Sequence, residues 1–299
     1  MKHHYYICDV FTDRRFGGNQ LAVLPEAQGL TAEQMQQVAR EFNFSETAFV
    51  FPPEAGQTRL VRIFTPRIEV PFAGHPNIGT AYTLAVAGCF GEFDTSTNVT
   101  FEEKAGLVRL TVHRRSTDSL WCELAAPESL SIGQTVPTEL LAAAISLEPA
   151  DIVTDTHSPR VASVGLPFLF AELSDLSALR RARINMAALD TLVELDVTPD
   201  VHLYIQSGDE FDIRARMFCP MDGVPEDPAT GSANCALAGL LCQHAPAKTA
   251  SLNWRIAQGV EIGRPSLLET RAEKKNGTMT GTWVGGESVL VSEGWIEVD

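Results

Sequence analysis

Hydrophobic and polar residues alternate along much of the chain, and this period of two predicts many short β-strands. In the first half, strands are predicted at residues 5–11, 21–24, 47–51, 58–64, 99–101, 107–112 and 120–124. In the second half, they are predicted at residues 202–206, 212–218, 262–269, 281–284, 288–291 and 295–298. Helices are predicted at residues 31–42, 76–88, 137–145, 185–192 and 231–241, the first opened by a capping box at Thr31-Ala32-Glu33-Gln34.

Two of the predicted helices have an unusual composition, because residues 77–87 and 231–241 carry no charged side chain on any face. A helix that is apolar or small all round is buried on all sides, and at roughly 11–13 residues neither is long enough for a membrane. We therefore predict that each helix lies at the centre of a curled, mostly antiparallel sheet. The strands can approach closely at small residues, namely Gly79, Ala81, Ala233 and Ala236.

One segment of the chain occurs twice, 154 residues apart. Residues 62–66 and 70–71 read Arg-Ile-Phe-Thr-Pro and Val-Pro, and residues 216–220 and 224–225 read Arg-Met-Phe-Cys-Pro and Val-Pro. Solenoid repeats have periods of roughly 20–50 residues, so this long period indicates a duplicated domain. Two similar domains usually pack about a pseudo-twofold axis, and ligand sites favour domain interfaces.

The predicted fold class is therefore α+β, with two pseudo-twofold-related domains, each a curled sheet around a central helix. We place the N-terminal domain at residues 1–125 and the C-terminal domain at residues 126–286, which includes a connector at residues 126–159. A final strand at about residues 287–299 can return to the N-terminal domain. A length of 299 residues suits two domains that each bury their own core.

Composition and charge exclude several functions. The formal net charge is −15, whereas a nucleic-acid or anionic-membrane partner calls for a basic patch. No apolar run is long enough to span a membrane, and the N-terminal residues lack a signal-peptide core. The six cysteines have no CxxC spacing, which favours free thiols in the cytoplasm. We expect neither a metal nor a nucleotide cofactor, because metal-ligand spacing, the Walker lysine and the Rossmann pattern are all missing.

Both uncharged helices begin at a proline-bearing turn, Ala73-Gly74-His75-Pro76 in one copy and Pro228-Ala229-Thr230-Gly231 in the other. Unpaired N–H groups and the helix dipole make such helix starts favourable places for an anion. Pseudo-twofold packing could direct both starts to one cleft that binds a carboxylate. The alternative is that they are ordinary capped helix starts, with proline preset for the first turn.

An ionisable residue at the matching place of each turn favours a functional site over simple caps. His75 lies at a helix start, where the dipole favours its neutral form, although it could merely cap the turn. Asp227 precedes Pro228 and is either a site residue or a cap, and we expect its neighbour Glu226 to point to solvent. Ser232 lies in the first turn of the second helix, where its hydroxyl can donate to an oxyanion.

Glu46 is the third candidate for chemistry. In the strand Glu46-Thr47-Ala48-Phe49-Val50-Phe51 both faces are essentially apolar, so we expect the carboxyl to be drawn out of water. Desolvation raises the pKa of a carboxyl towards neutrality, as a general base that must also return the proton requires. The alternative is an exposed glutamate at the end of a strand.

Seven stretches combine these candidates with specific neighbours, at residues 9–12, 18–19, 45–47, 64–66, 73–76, 223–233 and 258–266. Together they resemble the PhzF-like proteins, a family named for the phenazine biosynthesis isomerase, over nearly the whole chain. The resemblance implies a diaminopimelate-epimerase-like fold with an active site between the two domains. It also implies a homodimer and proton transfer without a cofactor.

By motif position, the resemblance implies four catalytic residues, which are Glu46, His75, Asp227 and Ser232. The glutamate would move a proton between carbons, and the other three would bind and polarise the substrate. The resemblance also implies substrate-binding residues, namely Asn19, Gly74, Pro76, Thr230, Gly231 and Gln258. The two glycines would act through their backbone, at the first turn of each central helix.

The resemblance also favours one mechanism. Diaminopimelate epimerase and proline racemase place a cysteine at each of the two turns, whereas the corresponding positions here look like Gly74 and Asp227. A two-thiol racemase is therefore disfavoured, and a single carboxylate that relocates one proton is preferred. The predicted function is a cofactor-independent isomerase of a small carboxylic acid. Two alternatives stay open, a carboxylate-binding protein without turnover and a racemase or lyase on the same fold.

Overall fold

The computed structural model describes residues 1–117 and 119–299, and the chain forms two compact units. Unit 1 comprises Met1–Pro127 and Gly285–Asp299, and unit 2 comprises Glu128–Val284. Each unit combines a mainly antiparallel sheet with a buried helix, which confirms the predicted α+β class. None of the helices in the described residues is long and apolar enough to cross a membrane.

In unit 1, the elements in chain order are β1 (Lys2–Val10), β2 (Asn19–Leu24), α1 (Ala32–Phe42), β3 (Glu46–Phe51), β4 (Arg59–Phe64), β5 (Glu69–Val70), α2 (Gly74–Val86), β6 (Ser96–Glu103), β7 (Gly106–Ser116) and β8 (Ser119–Ala125). Two of the strand pairs, β2–β3 and β4–β6, are parallel. The pairs β1–β2, β3–β4, β4–β5, β6–β7 and β7–β8 are antiparallel. The predicted capping box at Thr31 is confirmed at the start of α1.

In unit 2, the elements are β9 (Ser131–Thr135), α3 (Thr138–Ala144), β10 (Ile152–Val153), β11 (Arg160–Ser163), β12 (Pro167–Leu173), α4 (Leu176–Arg181), α5 (Met186–Glu194), β13 (Val201–Gln206), β14 (Ile213–Cys219), β15 (Val224–Asp227), α6 (Gly231–His244), β16 (Ala250–Gln258) and β17 (Ser266–Lys275). The pairing order of unit 1 recurs: β12–β13 and β14–β16 are parallel, while β13–β14, β14–β15 and β16–β17 are antiparallel. The two sheets are therefore built to one plan.

The last strand, β18 (Thr278–Glu297), passes from unit 2 into unit 1. Three short strands were predicted here, and this prediction is wrong because glycines interrupt the hydrophobic pattern without ending the strand. A Cβ at Gly285 would lie 2.3 Å from the Trp121 ring, and one at Gly294 would lie 2.7 Å from Tyr5 Oη. These glycines leave room for aromatic rings that lie against the strand. From Ser288 onwards β18 pairs antiparallel with β1.

The prediction of two buried central helices is confirmed. Helix α2 contacts β1, β2, β3, β7 and β8, and α6 contacts β11, β12, β16 and β17, so strands surround each helix. Gly79, Ala81, Ala233 and Ala236 are all buried in the two helices, as predicted. Burial on every side explains why residues 77–87 and 231–241 carry no charged side chain.

Gly79 provides a direct test of this packing. A Cβ built on it would lie 2.6 Å from Leu21 Cδ2 and 2.7 Å from Val10 Cγ2, closer than side chains pack. We expect Gly79→Ala to lower the free energy of unfolding by about 1–3 kcal/mol, as overpacking does. Gly208→Ala is the matched control, because nothing lies within 4 Å of its Cβ position. Equal urea midpoints for the two variants would contradict the close approach of α2 to β1 and β2.

Strand register corrects the predicted alignment of the two copies. Ile63 pairs with Val70 in unit 1, and its equivalent 154 positions later, Met217, pairs with Asp227 in unit 2. The equivalent of Val70 is therefore Asp227, 157 positions later, and the predicted match with Val224 is wrong. A short 3₁₀ helix at Pro220–Asp222 lengthens this turn in unit 2.

Candidate active site

The first turn of α2 is buried and holds His75. The side chain of Ala73, the N-cap residue, cannot donate or accept a hydrogen bond, so no side chain caps the free N–H groups from that position. His75 is 4% exposed, and Asn19 Nδ2 lies 3.3 Å from its Nδ1. The predicted residues Gly74 and Pro76 are buried in the same turn.

Burial determines the protonation state of His75. It lowers the pKa of the imidazole to about 3, and a hydrogen bond with the backbone of Gln20 only partly opposes this effect. The imidazole is therefore neutral throughout the physiological range. The neutral form agrees with the sequence-based prediction, but its main cause is desolvation rather than the helix dipole.

Glu46 lies beside this histidine. Its Oε2 is 3.5 Å from His75 Nε2, and its side chain is 18% exposed. The position follows from the sheet, because β3 begins at Glu46 and pairs in parallel with β2, which begins at Asn19. The alternative of an exposed strand-end glutamate is wrong. Unit 1 thus brings together three predicted site residues from β2, β3 and α2.

In unit 2, Asp227 lies at the turn before α6. It is 8% exposed, and its Oδ2 accepts a hydrogen bond of 2.6 Å from Thr230 Oγ1. Thr230 is the N-cap residue, but its side chain makes no capping hydrogen bond to the helix. Gly231 begins the helix and Ser232, which is half-buried, is its second residue.

Gln258 is fully buried and holds this turn in place. Its Nε2 donates to Asp227 O at 2.8 Å and to Thr230 Oγ1 at 3.0 Å. Its Oε1 accepts from Asn234 Nδ2 at 2.6 Å and from Thr230 N at 3.3 Å. Two donors and two acceptor positions are thus occupied, so Gln258 shapes the turn instead of offering polar atoms to a substrate.

The ionisable residues of the two turns are not at matching places, contrary to the prediction. Since α2 begins at Gly74 and α6 at Gly231, the equivalent of His75 is Ser232. Asp227 corresponds to Val70, as the strand register shows. The two turns therefore differ in chemistry as well as in sequence.

The expectation that Glu226 points to solvent is wrong. Its Oε2 accepts from Arg216 Nη2 at 2.6 Å and its Oε1 from Arg216 Nε at 2.9 Å, with the two side chains only 10% and 4% exposed. Unit 1 has the equivalent pair, Arg62 and Glu69, at 2.7 Å for both bonds. The repeated arginine is conserved between the copies because each one neutralises a glutamate of the next strand.

An asparagine in the first turn of both central helices was missed by sequence reasoning. Asn77 Nδ2 donates to Ala73 O at 2.9 Å, and Asn234 Nδ2 donates to Thr230 O at 3.0 Å. Both are the fourth residue of their helix, 157 positions apart. Aligning the helices at their first glycine would have revealed the match. Each asparagine fixes the N-cap carbonyl of its helix.

The thiol of Cys8 is buried against α2, where it donates to the carbonyl of Gly79. Burial raises the pKa of the Cys8 thiol to about 12, so it is not a nucleophile at neutral pH. Cys89 is exposed, whereas Cys122 and Cys242 are buried. Within residues 1–117 and 119–299, no group of three or more His, Cys, Asp or Glu side chains is arranged to hold a metal ion.

Comparisons with known proteins identify the family of this chain. The family model for phenazine biosynthesis-like proteins (PhzC-PhzF) matches residues 8–294. The chain is 36% identical to a trans-2,3-dihydro-3-hydroxyanthranilate isomerase of Pseudomonas chlororaphis, over 98% of this chain and 99% of that protein.

Solved structures show the same fold. A phenazine biosynthesis protein of the PhzF family from Bacillus anthracis has a TM-score of 0.89 at 23% identity, with 99% of both chains covered. A probable proline racemase from Agrobacterium radiobacter has a TM-score of 0.67 at 13% identity, with 99% of this chain and 93% of that chain covered. The predicted diaminopimelate-epimerase-like fold is confirmed. The chain belongs to the phenazine biosynthesis-like (PhzF) family of isomerases.

Proposed function

We propose that this protein isomerises a small unsaturated carboxylic acid by moving a proton between two of its carbons, with Glu46 as the acid and base. The observation that carries the proposal is the 3.5 Å distance between Glu46 Oε2 and Nε2 of a buried, neutral His75. A carboxylate beside a neutral imidazole is a stronger base than one beside an imidazolium, whose positive charge would stabilise the ionised carboxylate. The substrate class is suggested by the dihydro-hydroxyanthranilate isomerase named above.

The proposed reaction has two proton transfers. Glu46 first takes a proton from a carbon next to the unsaturated system of the substrate, and the electron pair of the broken C–H bond delocalises into that system. The carboxylic acid then returns the proton to a different carbon, which regenerates the Glu46 carboxylate. Substrate and product have the same atoms, and no electron donor or acceptor is consumed.

The start of α2 can stabilise the charge that develops on the substrate. The N–H groups of Gly74 and His75 have no partner within the helix, and the N-cap residue Ala73 has no polar side-chain atom to bind them. The neutral imidazole of His75 can polarise a developing oxyanion by donating its ring N–H, as neutral histidines do in other isomerases. A substrate carboxylate bound here would gain from the helix dipole as well.

Residues of unit 2 have proposed roles in binding. Asp227 and Ser232 would bind polar groups of the substrate, and Gly231 would donate its backbone N–H. The tight hydrogen bonds among Asp227, Thr230 and Gln258 support a preorganised turn that a ligand need not reshape. A site between the two domains, a homodimer and a cytoplasmic location remain predictions from the sequence and the resemblance.

Deuterium exchange tests the proposal. We expect the protein to convert trans-2,3-dihydro-3-hydroxyanthranilate, or a related cyclic amino acid, in heavy water with deuterium incorporated at a carbon of the product. Mass spectrometry locates the label, and NMR of the mixture identifies the product. Incorporation follows because the proton on Glu46 exchanges with solvent between abstraction and return.

A different outcome would favour one of the alternatives. Tight binding of these acids without exchange or conversion would indicate a carboxylate-binding protein. Exchange at a chiral carbon with loss of optical activity and no shift of the double bond would indicate a racemase.

A further inference from the structure

One position after each central helix is equivalent in the two units. In unit 1, β4 and β6 pair in parallel with Arg59 opposite Phe101, and in unit 2, β14 and β16 pair in parallel with Ile213 opposite Ile256. Arg59 and Ile213 occupy the same place in the repeat, 154 positions apart. Phe101 and Ile256 each lie two positions before the end of their strand. The last residues of these strands, Glu103 and Gln258, are therefore equivalent.

Both residues contact the asparagine in the first turn of the adjacent helix. Gln258 accepts a hydrogen bond from Asn234 at 2.6 Å, and Glu103 lies beside Asn77, whose side chain lowers the pKa of its carboxyl. In both units, therefore, the last side chain of a strand lies against the asparagine that fixes the N-cap carbonyl of the central helix. Only the side chain differs, a carboxamide in one unit and a carboxyl in the other.

The hydrogen-bonding requirements at this position suit a group that both donates and accepts. Gln258 uses two donors and its acceptor oxygen at once, as described above. In unit 1, Asn77 Oδ1 and both carboxyl oxygens of Glu103 are buried, and as acceptors they have no donor among the described residues. A proton on Glu103 supplies the missing donor, since a carboxylic acid carries one O–H and one C=O.

The surroundings of Glu103 are apolar on the side that faces α2. Phe101 shares this face of β6 and is fully buried. Glu102 points the other way, where its carboxylate accepts backbone N–H groups of the loop at residues 54–57. The buried positions of β7 are also apolar, at Val108, Leu110 and Val112.

The titratable groups on the neighbouring elements are not charged partners for this carboxyl. On β4, Arg59 donates to the carbonyl of Thr58 and Arg62 is paired with Glu69. On α2 they are His75, which is neutral, and Tyr82, whose phenol pKa burial raises. On β8, burial raises the pKa of Cys122. Lys104, the next residue in the chain, is paired with Glu69 at 2.6 Å. Burial accordingly raises the pKa of the Glu103 carboxyl to about 8, although its interaction with Asn77 opposes the rise.

We propose that Glu103 is a positioning residue that holds the first turn of α2 as a neutral carboxylic acid, as the carboxamide of Gln258 holds the first turn of α6. Through Asn77 it fixes the carbonyl of Ala73, directly before Gly74 and His75. Ionisation would remove the donor and place an unpaired charge beside the turn. The assignment of this turn to substrate binding rests on the proposed function, whereas the protonation state does not.

The protonation state can be tested without a substrate. Between the ordinary glutamate pKa of 4.5 and about 8, the folded protein keeps a proton that the unfolded chain has lost. This contribution to stability therefore falls as the pH rises through that window and is fully lost above it. Glu103→Gln keeps the shape and cannot ionise, so its melting temperature should rise relative to wild type between pH 5 and pH 9. Glu41→Gln is the same substitution at an exposed position, and its melting temperature should equal that of wild type at each pH.

A second readout uses wild-type protein. Carbon NMR with ¹³C-labelled glutamate side chains should show one carboxyl that titrates near pH 8, and this signal should be absent from Glu103→Gln and retained in Glu46→Gln. If the melting difference between Glu103→Gln and wild type is independent of pH, or no signal assigned to Glu103 titrates above pH 6, the proposal is overturned.

Activity tests the positioning role. For wild type, kcat/KM should fall about tenfold per pH unit above pH 8. Glu103→Gln should retain activity and lose this alkaline decline, and Glu103→Leu, which cannot hydrogen-bond, should lose activity at every pH. An inactive Glu103→Gln that melts like wild type at pH 5 would show that the proton itself is used in catalysis. If wild type converts no acid while the melting and NMR results hold, the proposed function fails and the neutral Glu103 stands.

Discussion

Glu46→Gln is expected to lower kcat by about 10²–10⁴-fold and to leave KM nearly unchanged. Glutamine has the shape of glutamate but cannot accept a proton at neutral pH, so only the transfer step is lost. The side chain sits at the first position of β3, 3.5 Å from His75, and is held by the sheet rather than by a flexible loop. Steady-state kinetics and deuterium incorporation in heavy water measure the effect.

Glu33→Gln is the matched control for this experiment, because Glu33 lies exposed on α1. It should leave both kcat and KM unchanged. If Glu46→Gln raises KM and spares kcat, Glu46 binds the substrate and another residue moves the proton, with Asp227 as the next candidate. Retention of full exchange by Glu46→Gln would remove the mechanism proposed here.

Glu226→Ala is expected to lower the free energy of unfolding by about 3–5 kcal/mol, as loss of one partner from a buried ion pair does. The guanidinium of Arg216 is 4% exposed and also donates to the carbonyls of Leu179 and Ala182, at 2.8 and 2.9 Å. Without Glu226 it would be left charged in the interior at the end of α4. Calorimetry gives the total loss, and hydrogen exchange shows whether it is confined to unit 2.

The equivalent pair in unit 1 provides the comparison. Arg62 is 28% exposed and can turn towards water when Glu69 is removed. Glu69→Ala should therefore lower the free energy of unfolding by only about 1–2 kcal/mol. Activity should also fall more for Glu226→Ala, because Asp227 is its neighbour in the turn before α6. Equal losses for the two variants would show that burial does not determine the strength of these pairs.

The predictions from the sequence were correct where a single physical property determines the local structure. The absence of charge along α2 and α6 predicts burial on all sides, and both helices are surrounded by strands. Glu46 lies in an apolar strand, and the structure brings it to His75. The neutral state of that histidine was also predicted, although burial is the stronger cause.

The wrong predictions concern which residues of the two copies are equivalent, because this equivalence depends on the register of the paired strands. The copies share one offset up to Pro220, but the longer turn that follows moves Glu226 and Asp227 by three positions relative to the first copy. Sequence matching alone therefore aligned Val224 with Val70, and the equivalence of Glu226 with Glu69 was not predicted. The strand β16 was also not predicted, although its first residues alternate between apolar and polar, and with it the role of Gln258 was missed.

The course of β18 has a consequence for how the protein is made. Unit 2 is one continuous stretch, Glu128–Val284, and can fold on the ribosome as soon as it has emerged. Unit 1 needs residues from Ser288 onwards to cover the edge of β1, and these are synthesised only after all of unit 2. Until then the nascent β1 exposes unpaired backbone groups, which makes it the segment most prone to pair with the wrong strand.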